Sequence, residues 1–455
     1  LLRRSVTAVL RFALRLFFRR VEVVGRERVP RDGAVLFVLN HPNGLVDPCF
    51  LLCHAPRRVS FLAKSPLFET PVVGYFVRKL DSIPVYRRQD EGADPTRNRE
   101  TFGRSADLLR RGGTIAICPE GVSHNEPQLQ PLKTGAARIA LGAASSGGAL
   151  DLKVVPAGLY YTAKTTFRSG ALLYFGEPIP VGPVALDAGG EPPREAVREL
   201  SDRLAAALRA LTLNADRHEA LQMVARAERI FSAEDEAGEG GELSLERELR
   251  RRRLFVEAYA YLREHAAERL DRLEQRIRQY EQELEEAGIT DPSQLSTEAV
   301  SRYARFWRLL PRVALFALVS PVAAAGALLH YPAYWLAGYL GTKFSNNYED
   351  VLSTFKIAAA LLLLPLTWLA AAVLPYALWG WGGAGAALAL APLAGYAALR
   401  TREEFDRFVA GVRAARFFVT ERSFFRSLLE ERRAIRREIL ALGEVAERAG
   451  ALRTA

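Results

Sequence analysis

Two stretches of this chain, residues 313–342 and 357–399, contain no Asp, Glu, Lys or Arg, and they limit what the whole can fold into. Each exceeds the ~20 residues with which a helix crosses a bilayer. A buried helix of a soluble core is the competing reading, and runs this apolar in so arginine-rich a chain argue against it. The second stretch is long enough for two crossings, with Gly380, Gly382 and Gly383 around Trp381 as the natural turn. The first holds Pro321 and Pro332 and either crosses once or folds back. Arg302, Arg305, Arg308 and Arg312 precede the first stretch, and Arg400, Arg402, Arg407, Arg413 and Arg416 follow the second. Both flanks are therefore expected on the cytosolic side. That requires an even number of crossings, so three apolar pieces imply that one is re-entrant or interfacial.

The remaining sequence divides by rhythm. From 21 to about 213, short β-rich runs at 35–39, 82–86, 114–118, 153–159 and 172–175 alternate with helical stretches, which predicts an α/β layer domain over 21–230. Residues 1–20 form an amphipathic segment, with Arg4, Arg11 and Arg15 near one helical face and Val6, Leu10, Leu14 and Phe17 on another. It suits either a membrane interface or a surface helix packed on its own domain. Residues 231–242 turn to Ala, Gly and Glu and read as a linker. A heptad-like seam follows at Leu262, Ala266, Leu270, Leu273, Ile277, Tyr280 and Leu284, broken at Asp291-Pro292, with Ser296 as the cap of a second helix toward Trp307. A helical coiled-coil hairpin over 243–308 is expected, with self-association through the seam as the alternative. A transmembrane region over 309–400 and a basic cytosolic helical tail over 401–455 complete the layout.

The net charge of +10 suits an anionic partner. Because the arginines flank apolar spans, lipid phosphate is the nearer anion, and no nucleic-acid partner is expected. Three cysteines, Cys49, Cys53 and Cys118, show neither a disulfide framework nor metal-ligand spacing. No metal site and no phosphate-binding glycine loop are apparent. The single Met and the Arg/Ala bias suggest a GC-rich bacterial genome, and hence a bacterial inner membrane.

Chemistry is concentrated in Asn40-His41-Pro42-Asn43-Gly44-Leu45-Val46-Asp47-Pro48, directly after an apolar run. This places a histidine and a carboxylate at a strand end, where α/β folds often build sites. An imidazole takes a proton from a hydroxyl near neutral pH, and a carboxylate on its other nitrogen fixes the tautomer. Taken alone the pair is as readily a turn feature, since such loops recruit Asp and Asn.

The ordered company of this segment resembles the glycerolipid acyltransferase family. His41 to Asp47 resembles its first motif, Ser82-Ile83-Pro84-Val85-Tyr86-Arg87-Arg88 its second, Cys118-Pro119-Glu120-Gly121-Val122-Ser123 its third and Val154-Val155-Pro156-Ala157-Gly158 its fourth. His-Pro-Asn-Gly-Leu-Val-Asp-Pro together with Leu132-Lys133-Thr134-Gly135-Ala136-Ala137-Arg138 is most similar to the glycerol-3-phosphate/dihydroxyacetone-phosphate acyltransferase branch. The resemblance implies a membrane-bound enzyme that moves a fatty acyl group from acyl-CoA or acyl carrier protein to a glycerol-phosphate hydroxyl, without a cofactor. His41 would be the base and Asp47 its orienting partner. Arg87 and Arg88 would hold the acceptor phosphate, with Gly121, Ser123 and Lys133 beside them. Glu120 would position the acceptor or simply shape its turn.

The sequence departs from the family pattern in two places. Five residues separate His41 from Asp47 where four are usual, and Val122-Ser123 replaces Thr-Arg, which removes a basic group that Lys133 or His124 would have to supply. Two further readings stay open: acylation of 1-acylglycerol 3-phosphate, and a membrane scaffold carrying an idle catalytic domain.

Overall fold

The computed structural model describes residues 2–87, 90, 94–148, 150–239, 244–289, 292, 295 and 310–452. The chain forms two compact units. The first comprises residues up to Asn214 together with Gly341–Ile357, and the second Ala215–Leu340 with Ala358–Ala455.

The first unit is an α/β layer domain. Its strands are β1 (Phe18–Val24), β2 (Ala34–Leu39), β3 (Ser60–Lys64), β4 (Ile83–Val85), β5 (Thr114–Ile117), β6 (Leu152–Tyr161), β7 (Ser169–Phe175) and β8 (Ile179–Val181). They make one sheet in the order β1-β7-β6-β2-β5-β3-β4, with β8 pairing on β6. All six residues of β2 are buried, as an unbroken apolar run in a covered parallel sheet requires. The pleat sends Ala34, Leu36 and Val38 into a core with α4 (Asn98–Arg110), α5 (Gly135–Ser145) and α6 (Arg194–Leu211). Phe37, on the opposite face, meets the Phe175 ring at 5.7 Å. Strands β6, β2, β5, β3 and β4 run parallel, so their C-terminal ends share one edge.

Helix α1 (Leu2–Phe17) uses its apolar face within this unit. Ala13, Leu14 and Phe17 are buried, Arg11 donates to the Cys53 carbonyl at 2.6 Å, and Arg3 donates to Val59. The face expected to reach a membrane thus packs beside α2 (Val46–His54), which leaves Val9 and Phe12 exposed on another side.

The second unit holds a helical bundle of α7 (His218–Glu239), α8 (Leu245–His265), α9 (Ala267–Glu286) and α12 (Arg422–Arg448). Three expectations change here. The stretch read as a linker from 231 is helical through Glu239, because Ala and Glu are strong helix formers even where apolar periodicity is missing. The seam belongs to two helices, since Ala266 (φ −146°, ψ 39°) breaks the run. It is also already covered: Leu270, Leu273, Ile277 and Leu284 pack with Phe425, Leu428, Ile435 and Leu442 of α12. The helical tail is therefore part of the bundle, and this apolar seam is not an open dimer face. The helix expected from Ser296 toward Trp307, with Arg302, Arg305 and Arg308, lies outside the described residues.

The apolar stretches form α10 (Leu310–Ser345) and α11 (Glu349–Thr420). Gly380 interrupts α11 at φ 61°, ψ −152°, a conformation open essentially to glycine, so the expected turn lies where the glycines cluster. Both helices are long and apolar enough to cross a membrane, and only 11% and 6% of their most apolar windows are buried. Such exposure is unlike that of a soluble core helix, and apolar surface of this kind suits contact with lipid.

Candidate active site

The site residues come from the shared edge where the parallel strands end. β2 leads into Asn40 and His41, β5 into Cys118 and Glu120, β3 ends at Lys64, and β4 leads into Arg87. This is where open α/β sheets bind ligands. Asn40 fixes the first turn: its amide donates to the Leu159 carbonyl at 3.0 Å and accepts the Leu159 N–H at 2.7 Å, extending the β2–β6 ladder with a side chain.

His41 Nδ1 lies 2.9 Å from Asp47 Oδ2, so the five-residue spacer keeps the pair in contact. Gly44 absorbs the extra residue at φ 39°, and Asp47 then falls in the first turn of α2. The same carboxylate oxygen accepts the Asn43 N–H at 2.7 Å, while Oδ1 accepts the Tyr161 hydroxyl at 2.6 Å. Asp47 is fully buried, whereas the His41 side chain keeps 20% exposure. With Nδ1–H donated to Asp47, Nε2 is left as the acceptor on the accessible ring.

Burial disfavours the charged imidazole, but Cys118 beside it and the Asp47 carboxylate outweigh burial and hold the His41 pKa well above its ordinary value. Burial, reinforced by Asp47, pushes the Tyr161 phenol well above its ordinary range and keeps it an O–H donor. Burial lowers Lys164, which Asp47, Asp350 and Glu349 partly offset. Its ammonium donates to the Pro42 carbonyl at 2.8 Å and the His124 carbonyl at 3.4 Å, pinning the loop that carries His41.

Glu120 occupies a different place from the one expected of an acceptor ligand. It is buried, and its oxygens accept the His41 N–H at 2.8 Å, the Gln130 N–H at 2.8 Å and a bond with the His124 ring at 2.5 Å. Such a satisfied carboxylate holds the histidine loop in place. It also commits the His124 ring, which therefore does not replace the missing basic group.

Arg87 is likewise engaged. It pairs with Asp90 through Nε at 2.9 Å and Nη2 at 2.5 Å, and Nη1 donates to the Gly121 carbonyl at 2.6 Å. It still lines a cleft of about 370 Å³, together with Lys64, Ser123, Tyr348 and Asp350. Among the described residues the Lys64 ammonium has no hydrogen bond and no ion pair within 4.0 Å, although its charge reaches Asp90, so it is the less committed cation of this cleft. Lys133 folds over Gly121, where a Cβ would lie 2.5 Å from its ammonium, and it is not in the cleft wall. Arg88 lies outside the described residues.

Four residues of this arrangement escape a reading by motif: Lys64, Tyr161, Lys164 and Asp350. Tyr161 ends an apolar run, and Lys64 precedes Ser65-Pro66 at a strand end, which are weak local signals. Asp350 has none, because it arrives from the start of α11, far along the chain from the other site residues. Among the described residues no cluster of three or more His, Cys, Asp or Glu side chains could hold a metal ion.

Comparison with known proteins finds acyltransferase relatives for both parts of the chain. A family model described as Acyltransferase matches residues 20–160, and one described as Glycerol-3-phosphate acyltransferase 2 C-terminal domain matches residues 236–445. Glycerol-3-phosphate O-acyltransferase 2 of Saccharomyces cerevisiae is 29% identical over 294 residues, which cover 62% of this chain and 39% of that protein. Glycerol-3-phosphate O-acyltransferase 1 of the same yeast is 26% identical, covering 78% of this chain and 58% of that protein. The chain thus spans only part of the length of these yeast relatives. The 1-acyl-sn-glycerol-3-phosphate acyltransferase of Bacillus subtilis is 30% identical over 164 residues, 35% of this chain and 73% of that protein. With its histidine and carboxylate in contact at the sheet edge, this chain belongs to the acyltransferase family and carries a glycerol-3-phosphate acyltransferase 2 C-terminal domain behind its α/β unit.

Proposed function

We propose that this protein transfers a fatty acyl group from an acyl thioester, acyl-CoA or acyl carrier protein, to a hydroxyl of glycerol 3-phosphate or dihydroxyacetone phosphate at a membrane. The observation that carries the reading is the 2.9 Å His41–Asp47 contact at the edge that also holds the cleft of Lys64 and Arg87. His41 Nε2 takes the proton of the acceptor hydroxyl as its oxygen attacks the thioester carbonyl. The C–O bond forms, the C–S bond breaks, and the proton passes from His41 to the departing thiolate. A thioester is already activated, so no protein nucleophile is required. Asp47 stabilises the imidazolium formed in between. Lys64, with the uncommitted N–H groups of Arg87, meets the acceptor phosphate.

The exposed apolar surface of α10 and α11 seats the enzyme in a membrane, with the α/β unit on the cytosolic side. A bacterial inner membrane draws no support from the two yeast relatives. The relatives named for glycerol 3-phosphate cover more of this chain than the Bacillus relative does, which favours the small acceptors over the lysophospholipid. Purified full-length protein in detergent or vesicles, given labelled acyl-CoA and each of the three acceptors, tests this. Acylation of glycerol 3-phosphate or dihydroxyacetone phosphate is expected. Preference for 1-acylglycerol 3-phosphate would overturn the acceptor assignment, and no transfer to any acceptor from acyl-CoA or acyl carrier protein would leave a scaffold.

A further inference from the structure

The reaction as drawn leaves one charged group of the cleft without a task. Asp350 lies in the first turn of α11, within the segment Gly341–Ile357 that belongs to the catalytic unit. Its Oδ2 accepts the Ser123 hydroxyl at 2.5 Å, and among the described residues its Oδ1 has no hydrogen-bond partner. The backbone beneath it is held from several sides. A Cβ on Gly44 would come within 3.0 Å of the Asp350 carbonyl, Thr354 accepts the Leu45 N–H at 3.1 Å, and Glu349 accepts from Asn125 at 2.7 Å. The segment is therefore fastened to the loop carrying His41 and Asp47, and to the loop that follows Glu120. Ser123 stands where the family pattern has arginine, so this chain replaces a cation with a hydroxyl that orients an anion.

A fixed carboxylate lining the same cleft as Lys64 and Arg87 gives that cleft both signs of charge. A phosphate is drawn to the two cations and repelled by Asp350, which turns the carbon end of the acceptor toward the carboxylate. An ionised carboxylate only accepts hydrogen bonds. It can receive a hydroxyl of a polyol phosphate, but it faces the lone pairs of a ketone unfavourably. We propose that Asp350 is a specificity residue: its Oδ1 accepts the hydroxyl next to the reacting one, so the site favours glycerol 3-phosphate over its keto analogue. This inference rests on the glycerol-phosphate reading above. Sites built to bond a substrate hydroxyl discriminate strongly against analogues that lack it.

The test compares kcat/KM for glycerol 3-phosphate and dihydroxyacetone phosphate in the wild type, Asp350→Asn and Ser123→Ala, using the full chain in vesicles with acyl-CoA. An Asn amide offers a donor to the ketone while weakening the bond to the hydroxyl. The preference ratio for glycerol 3-phosphate is expected to fall about 10- to 100-fold in Asp350→Asn, as for loss of a charge-assisted bond, chiefly through KM. Ser123→Ala, which releases the carboxylate without removing it, is expected to shift the ratio the same way by less. A ratio unchanged in Asp350→Asn, in protein that still turns over either acceptor, would overturn the inference while leaving the proposed function intact. A wild type that uses neither acceptor would remove the reading on which it rests.

Discussion

Replacing Asp47 by Asn asks how much of the chemistry depends on one buried charge. Asp47 accepts three hydrogen bonds, from His41 and the Asn43 N–H on Oδ2 and from Tyr161 on Oδ1. An Asn amide has one oxygen, and the Asn43 N–H dictates where it goes, because an NH₂ group there would face a donor. The oxygen therefore stays on the His41 side, and the NH₂ faces Tyr161, whose hydroxyl can rotate to accept. The His41 tautomer is kept and only the negative charge is lost. Charge-assisted bonds are roughly twice as strong as neutral ones, and deleting one preorganised electrostatic partner typically costs about 10²- to 10³-fold in kcat. We expect Asp47→Asn to fall in that range for acyl transfer, measured with saturating acyl-CoA and the preferred acceptor, with little change in either KM. The pH profile gives a second reading. His41 must be neutral to accept a proton, so activity falls as pH drops through its raised pKa, above the ~6.5 of a free imidazole. Asp47→Asn removes one of the causes that raise it, so the acidic limb should move to lower pH. Activity within about threefold of wild type, or an acidic limb that does not move, would mean that the Asp47 charge does not support His41.

Three further substitutions separate positioning from chemistry. Tyr161→Phe leaves a buried carboxylate oxygen without its donor, which costs about 1–3 kcal/mol; a lower Tm and a kcat reduced about tenfold at unchanged KM are expected, and an unaltered enzyme would count against the contact. Glu120→Gln places an NH₂ against one of the donors that Glu120 receives, so thermal unfolding and kcat should suffer, whereas a selective rise in acceptor KM would assign Glu120 to acceptor binding instead. Cys118→Ser should retain acyl transfer within about tenfold and show no burst of thiol release, since the hydroxyl attacks the thioester directly; a burst in the wild type that the variant loses would mean that Cys118 carries the acyl group.

What could be read in the sequence was what is local. His41 and Asp47 stand within one loop, and Gly380 interrupts α11 where glycines cluster, so neighbours in the chain sufficed. The β2, β5 and β6 runs were visible for the same reason, as strongly apolar stretches. Long-range partners were not. Tyr161 meets Asp47 because β6 lies beside β2, and Asp350 meets Ser123 because residues 341–357 return to the α/β unit. That Arg87 is paired with Asp90 is equally invisible, because no periodicity reveals which carboxylate a guanidinium meets. The Ala- and Glu-rich stretch after Phe231 lacks an apolar stripe yet continues α7, because propensity and the bundle together sustain a helix there.

Whether the His41 imidazole is the base for acyl transfer to a glycerol phosphate is read from kcat/KM for that acceptor in wild type and His41→Ala, purified as full-length protein and assayed in the same vesicles with labelled acyl-CoA. Clear acceptor-dependent transfer is expected in the wild type and a loss of about 10²- to 10⁴-fold in the variant, with the variant's Tm close to that of the wild type. Transfer by His41→Ala at the wild-type rate would contradict that role.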